Sequence, residues 1–399
     1  VVRAIADAQA ETARRFARTQ VSNFMARAQQ LHHGGGATNP LGIALNLRDA
    51  VLTPGGPNTV ADDSAVSPTG RNRFVSRSVA EATLPGRSIG NAPADERSFD
   101  ALRGSDTAGH EQEDRSTAGP RPIGDVALWT GGSIEIGTLD RRSGRAKITL
   151  ASGGLSTGAD IRIADWATFG LGGGYGSDVS LIDGEAARVR GETKVFAAYG
   201  SFAPIDGAFV DAMVGHGSLD YTTRRLVAST GELARGRRDG HMTFGAVSAG
   251  VDRETDDLRW SGYGRLEWLN GKLDAYSETG ATRYALRFDT RSVRSLTGVV
   301  GGRLEVAQDL GFARVSPRIA AEWLHEFQTA GVQSLDYADF TGTSTYHIRG
   351  TGWQREQYQV SIGSRWSLMV RWMIDMELGM RGAAGEHAAQ ARLRISKRF

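Results

Sequence analysis

Leu368-Met369-Val370-Arg371-Trp372-Met373-Ile374-Asp375-Met376-Glu377-Leu378-Gly379-Met380-Arg381 divides cleanly by parity. Leu368, Val370, Trp372, Ile374, Met376, Leu378 and Met380 are apolar, while Arg371, Asp375, Glu377 and Arg381 all fall on the other parity. A period of two belongs to a strand with one apolar and one wet face; a helix would mix the two sets around its circumference. The final run, residues 389–399, repeats the pattern. Ala391, Leu393, Ile395 and Phe399 share one side, and Gln390, Arg392, Arg394 and Arg398 the other. A soluble sandwich also alternates, so the weight falls on how many such runs lie upstream.

From Asp125 onward the same reading predicts strands at 125–139, 145–164, 167–182, 189–204, 207–224, 240–255, 258–277, 282–307, 311–328, 353–366, 368–381 and 387–399. That is about twelve, an even number, as single-chain bacterial barrels require. Most exceed the roughly 9–11 residues that cross a bilayer, so they are expected to project beyond the membrane on one side. Short links at 165–166, 203–207, 256–257 and 308–310 alternate with longer ones at 183–188, 227–238 and 329–352, the outer-membrane pattern. The expected fold is all-β: a 12-stranded antiparallel transmembrane β-barrel of the outer-membrane type, preceded by an N-terminal helix and a long disordered linker.

Parity then assigns faces. Arg259, Arg265, Glu267, Arg318, Glu322, Glu326, Asp375 and Glu377 are the expected lumen-lining residues, where opposite charges pair in a hydrated interior. Trp260, Trp268, Trp323, Trp372 and Ile374 are expected to face lipid. Trp166, Tyr175, Trp260 and Tyr263, near strand ends, suit an interfacial girdle.

Composition narrows the classes. The chain has 399 residues, 52 Gly, no Cys and a net charge of +2, so neither a disulfide framework nor a Cys-based metal site exists, and bulk charge favours no particular partner. No run of about 18 apolar residues is present, which excludes a transmembrane helix but not a barrel, whose strands are half apolar. Basic residues are scattered among acids, giving nucleic-acid binding no support. No cofactor is expected. The chain opens on Val1 with no signal peptide in view and is read as a fragment with an upstream part missing.

Residues 1–33 read as a basic helix. Ala10, Ala13, Ala17, Val21, Phe24, Ala28 and Leu31 recur at threes and fours, Arg3, Arg14, Arg15, Arg18 and Arg27 add charge, and Gly34-Gly35-Gly36 ends it. Two readings stand: an amphipathic helix packed on a surface, and a basic segment that threads a pore. Residues 34–122 are rich in Gly, Pro, Ser, Asp and Arg without apolar periodicity, the composition of a flexible linker. The barrel domain is set at 123–399.

Three motifs point to chemistry only on the surface. Gly154-Leu155-Ser156-Thr157-Gly158 matches G-x-S-x-G, but strand flanks it on both sides, whereas a nucleophile elbow needs a helix after the serine. The glycine-rich run 170–176 does not complete G-x-G-x-x-G and no helix follows; its glycines fit a bend or the close approach of a lumen segment. The eight His show no metal-ligand spacing, and His325-Glu326 reads as a packed or lumen pair.

The ordered series of segments resembles the C-terminal translocator barrel of autotransporters of type Va secretion. Gly158-Ala159-Asp160-Ile161-Arg162 and Leu171-Gly172-Gly173-Gly174-Tyr175-Gly176 are similar to the family's second and third strands. The stretches 195–202, 209–211 and 301–305 follow in order, and Pro317-Arg318-Ile319-Ala320-Ala321-Glu322-Trp323-Leu324-His325-Glu326-Phe327 is the most specific match. The resemblance implies a monomeric barrel in outer-membrane lipid, inserted by the barrel-assembly machinery, that anchors an upstream passenger and helps export it as an unfolded hairpin. It implies no catalysis of its own. Some relatives cut themselves at a lumen asparagine, and Asn23 is the only asparagine in this helix. Leu393, Ile395 and Phe399 are the candidate assembly signal, with Lys397 interrupting the alternation. In the family the pore-threading helix lies just before the first strand; here the helix lies about ninety residues upstream, which leaves part of the linker as the alternative threading segment. The rival reading is a stand-alone porin or loop-based adhesin.

Overall fold

The structure, a computed structural model, describes residues 1–32, 123–124, 126–139, 146–255, 258–340, 345–368 and 372–397. The linker expected at 34–122, the tip of the first hairpin and Phe399 lie outside these residues. One helix, α1 (Val2–His32), precedes twelve barrel strands: β1 (Val126–Leu139), β2 (Ile148–Ala164), β3 (Ala167–Ile182), β4 (Ala187–Ile205), β5 (Ala208–Leu226), β6 (Leu233–Thr255), β7 (Leu258–Leu273), β8 (Arg291–Val306), β9 (Ala313–Glu326), β10 (Glu356–Leu368), β11 (Trp372–Ala383) and β12 (Glu386–Lys397).

Every strand pairs antiparallel with its sequence neighbours, and β1 pairs with β12 from Gly132↔Leu393 to Leu139↔Glu386, closing the sheet. Closure satisfies the backbone without an edge, which lipid demands. The links β2–β3, β4–β5 and β6–β7 are two residues each, and both the start of β1 and the end of β12 lie at that rim. Asp206-Gly207, with Gly207 at φ +71, makes one of them, using the positive-φ turn chemistry of tight hairpins. The longest connections, between β7 and β8 and between β9 and β10, lie at the opposite rim.

The outer wall is apolar in the belt where lipid would lie. Phe169, Leu171, Phe196, Val214, Leu266, Val300, Ile319, Ile362 and Leu378 are all exposed. The inner wall is polar, as parity requires.

Three expectations are corrected. The strand expected at 240–255 begins earlier, at Leu233, which shortens the link expected at 227–238. The run 368–381 is not one strand: β10 ends at Leu368 and β11 begins at Trp372. Alternation continues in phase through this link, and no Gly or Asn marks it, so parity alone could not detect the turn. Leu368 therefore belongs to β10, and Val370 and Arg371 lie outside the described residues. The long strands expected at 258–277 and 282–307 are each shorter, ending at Leu273 and beginning at Arg291. Between them, and in the β9–β10 connection, four short segments form a separate sheet in the order Tyr346–Arg349, Val332–Tyr337, Leu286–Phe288, Tyr276–Ser277. Tyr276, Leu286, Phe288 and Leu335 give it a small core.

A closed barrel resists SDS until heated, so the unboiled chain is expected to migrate faster on a gel than the boiled one. Leu378 lies mid-strand on the outer wall, where an Arg costs about 2–4 kcal/mol near the bilayer midplane and about 0–1 near an interface. Leu378→Arg should therefore lower the urea midpoint for refolding in lipid vesicles far more than Gly382→Arg at the long-loop rim. The shift is read from the loss of the fast-migrating band.

Candidate functional site

The barrel interior is occupied by α1. A 31-residue helix is about 46 Å long, and a tilted 19-residue strand such as β4 rises roughly 50 Å, so one helix reaches from rim to rim. Its N-terminal part meets the long-loop rim: Arg291 Nη1 donates to the Ala6 carbonyl at 2.7 Å, Asp7 accepts from Thr351, and Val2 packs on the core of the loop sheet. Its C-terminal part lies near the rim where β1 starts, with Arg27 on Asp160, which is in register with Ala127.

The helix is seated on glycine. Gly172, Gly174 and Gly176 fall at every second residue on the inner face of β3, a spacing of about 6.8 Å, while Phe24, Gln20 and Phe16 step by four residues along α1, about 6 Å. The two ladders match. A Cβ at Gly172 would lie 2.7 Å from Phe24 and one at Gly176 2.9 Å from Phe16, and one at Gly174 would collide with Gln20. Gly154 on β2 faces Thr19, and Gly191 on β4 faces Thr12, in the same way. No other residue type would let the backbones approach so closely. Ser156, the serine of the G-x-S-x-G match, donates to Gln20 Oε1 at 2.8 Å and accepts from Asn23 Nδ2 at 2.8 Å. It is a rung of the helix seat. Asn23 is buried in the lumen on that rung.

Charged nodes lock the seat. Arg15 grips Asp178 from Nε at 2.8 Å and Nη2 at 3.0 Å, with Thr12 and Ser180 completing the cluster. Arg27 grips Asp160 at 2.8 and 3.0 Å; Asp160 also accepts from the Tyr199 hydroxyl, which accepts from Trp129 Nε1, and Phe24 meets the Trp129 ring edge-on at 5.2 Å. Arg14 reaches Glu326 at 2.9 Å, and Glu326 accepts from Ser295 and Thr297 as well. Arg238 on β6 donates to Gln9 of the helix, Gln333 of the loop sheet and the Asp289 carbonyl, tying wall, plug and loops together. Arg14, Arg15 and Arg27 are buried and ion-paired, and removal of one partner from such a pair costs about 3–5 kcal/mol.

Away from the glycine face, a polar gap separates α1 from β7–β12. Six of the expected lumen residues meet there. Arg265 pairs with Glu267 at 2.7 Å and Glu322 at 3.1 Å; Arg318 pairs with Asp375 at 2.6 Å and Glu377 at 2.9 Å. Arg392, which also pairs with Glu377, donates to Ser22 of α1. Glu326 takes part in the helix seat instead. Arg259 sits apart at the short-turn rim, paired with the exposed Glu254 at 2.5 Å, because its position next to the β6–β7 turn lies below the network.

On the outside, Trp260 and Trp323 are 42% and 41% exposed, and Trp268 lies over Gly245 of the adjacent strand. Ile374 is half-buried on the parity of the exposed Met376 and Leu378, and Leu393 is half-buried. The side chains of Trp372 and Ile395 lie outside the described residues. Two readings need correction. Tyr263 is only 7% exposed and donates to Glu322, so it belongs to the inner wall; it shares the parity of Arg265. His325 and Glu326 are not a pair: His325 contacts Glu356 on the outer wall at 2.6 Å, and adjacent residues of a strand face opposite ways.

The helix partners Asp160 and Asp178 were not singled out from the sequence. The signal was present: Gly172, Gly174, Gly176, Asp178 and Ser180 form an unbroken small-or-polar parity on β3, the mark of a face pressed against another polar element.

A closed twelve-stranded antiparallel barrel with an apolar belt, a charged lumen and a helical plug defines an outer-membrane barrel of the translocator class. Residues 128–379 match the autotransporter beta-domain family, and the chain belongs to that family. Among solved structures it is similar to the translocator domain of the autotransporter NalP from Neisseria meningitidis, with a TM-score of 0.53 at 16% identity, covering 70% of this chain and 89% of that one. It is also similar to the transport unit of the autotransporter AIDA-I from Escherichia coli, with a TM-score of 0.51 at 13% identity, covering 75% of this chain and 94% of that one. At these identities the likeness establishes the fold. No curated protein sequence matches the chain. The protein is an outer-membrane translocator barrel, and its family role is export of an upstream passenger to the cell surface.

Gly176→Leu should drive Phe16 off β3 and unseat the plug without opening the barrel. The expected result in planar bilayers is a several-fold rise in single-channel conductance with the fast-migrating unboiled band retained. Gly262→Ala, which meets nothing within 4 Å, should leave conductance unchanged.

Proposed function

We propose that α1 is the trailing segment of the export route, held in the lumen after the passenger has passed. The observation that carries this is its direction: the N-terminal end lies at the long-loop rim and the C-terminal end at the rim where β1 begins. In a barrel oriented by its loops, the long connections face the cell exterior. A passenger joined upstream of α1 would therefore emerge outside. Arg265, Glu267, Arg318, Glu322, Asp375 and Glu377 line the side of the lumen that α1 leaves open and solvate a moving backbone, whose polar groups lipid would leave unsatisfied. Residues 33–125 then join the inner end of α1 to the start of β1 at the same rim.

The work is transport without catalysis. The barrel reaches the membrane through the assembly machinery, which reads the last strand, with Leu393, Ile395 and Phe399 as the recognised parity. A plug paired at both ends with the wall supports export over a freely open porin.

The test places an epitope upstream of Val1, behind a secretion signal, in a Gram-negative host. Added protease should remove the epitope from intact cells while the barrel stays heat-modifiable. Deletion of Phe399 should lower outer-membrane levels several-fold while protein refolded in detergent still forms the compact band. An epitope that stays protected in cells with a correctly inserted barrel would contradict the proposal.

A further inference from the structure

The outer wall of β4–β6 continues well above the apolar belt, and its side chains there stand in register as tiers. Phe196 and Val214 end the apolar surface. Two residues higher, Lys194, Ser218, His241 and Lys272 lie side by side on β4–β7. Next come Glu192, Asp220 and Asp239, then Arg190, Thr222 and Arg237, and at the top Arg188, Arg224 and Arg235.

The middle tiers pair with each other, three carboxylates against two arginines: Arg190 meets Glu192 at 2.9 Å, and Arg237 lies 3.6 Å from Asp220 and 3.8 Å from Asp239. The top tier does not. Arg188, Arg224 and Arg235 are exposed, directly opposite one another on adjacent strands, and none forms an ion pair among the described residues. Like charges placed directly opposite destabilise a sheet. Lys194 and Lys272 are likewise exposed and without an ion pair among the described residues. Two basic tiers without ion pairs among the described residues thus face sideways, along the membrane surface, at two heights. The lower stands about 5 Å above Phe196. The upper, eight residues along a strand tilted about 40°, stands roughly 20 Å above it.

We propose that this ledge binds the acidic, phosphorylated saccharide headgroup of an outer-leaflet glycolipid. A partner standing upright in the membrane, with anionic groups at two heights, matches both tiers. A phospholipid headgroup reaches only the lysines. The bound anions remove the repulsion within the arginine tier, and several short charge-assisted contacts give the ledge its grip. This rests on the membrane orientation argued above and adds a partner to it.

The test uses the full chain refolded in detergent and three probes: lipopolysaccharide with its inner core, lipid A without the core, and inorganic phosphate. Retention after gel filtration is compared with that of a variant carrying Arg188→Gln, Arg224→Gln and Arg235→Gln. The wild-type chain should retain core-bearing lipopolysaccharide at least tenfold better than the variant, while lipid A is held equally by both through Lys194 and Lys272. Equal retention of the core-bearing form by both proteins would overturn the proposal. So would its displacement by an equal concentration of phosphate, which would show an adventitious ion only. Refolding into phosphatidylcholine vesicles, followed by heat-modifiability, tests membrane insertion separately. Loss of the compact band there would sink the membrane reading itself.

Discussion

Everything inside this barrel depends on one close approach, that of α1 to the glycine face of β2–β4. A helix needs about 8–10 Å between its axis and a packed neighbour when side chains intervene. Removing the Cβ atoms at Gly154, Gly172, Gly174, Gly176 and Gly191 lets Thr19, Phe24, Gln20, Phe16 and Thr12 rest on backbone. The helix is thereby drawn to one wall. The opposite wall is left to a charge network, and the lumen becomes two environments: a close-packed, small-residue seat and an ion-paired gap. The seat explains why an otherwise unusual number of polar helix residues is buried, including Gln9, Thr12, Arg14, Arg15, Gln20, Asn23 and Arg27. Each has a partner on the wall or within the helix, and the three arginines among them are ion-paired.

The same arithmetic that serves the lumen constrains the outside. A strand presents alternate residues to opposite solvents, and β11 shows the consequence in one stretch: Asp375 and Glu377 are bound to Arg318 while Met376 and Leu378 point outward. On β11 the inward charge is paired; outward charge stands beyond the belt, in the tiers of β4–β6 on one side and at Arg253 by the short-turn rim on the other. The plug adds a second consequence. Arg14, Arg15 and Arg27 give a helix that is basic in isolation but matched by Glu326, Asp178 and Asp160 in the lumen. Its charge therefore selects the barrel interior over a lipid surface.

The architecture was largely legible because barrel strands obey a period of two for long stretches. Eight of the twelve strands are placed to within three residues at both ends on parity and turn residues alone, β2 and β3 among them. The errors have physical causes. The β10–β11 link keeps the strand parity in phase and so hides in the pattern. The loop sheet from Tyr276 to Arg349 mimics longer barrel strands because its short segments alternate too. Of the site, the charged gap was readable from parity, since Arg265, Glu322 and Arg318 oppose apolar neighbours. The helix seat was not. Distance in sequence separates α1 from β3, and nothing in either segment alone states that Phe16, Gln20 and Phe24 match Gly176, Gly174 and Gly172. Only the rise of a helix set beside that of a strand reveals it.

The central claim is that α1, although about ninety residues upstream of β1, lies in the lumen of its own barrel on this glycine face. The chain has no native Cys, so a pair placed at Thr19→Cys and Gly154→Cys reports it directly. A Cβ at Gly154 would lie 2.6 Å from the Thr19 Cγ2 atom, within reach of the roughly 3.5–4.5 Å Cβ separation that a disulfide takes up once the helix eases back. Mild oxidation of the folded, unboiled protein should give a cross-linked species with altered mobility that reverts on reduction. Thr19→Cys with Gly262→Cys, on the outer wall, should give none. Failure of the first pair to cross-link in a heat-modifiable barrel, or equal cross-linking of both pairs, would contradict the account.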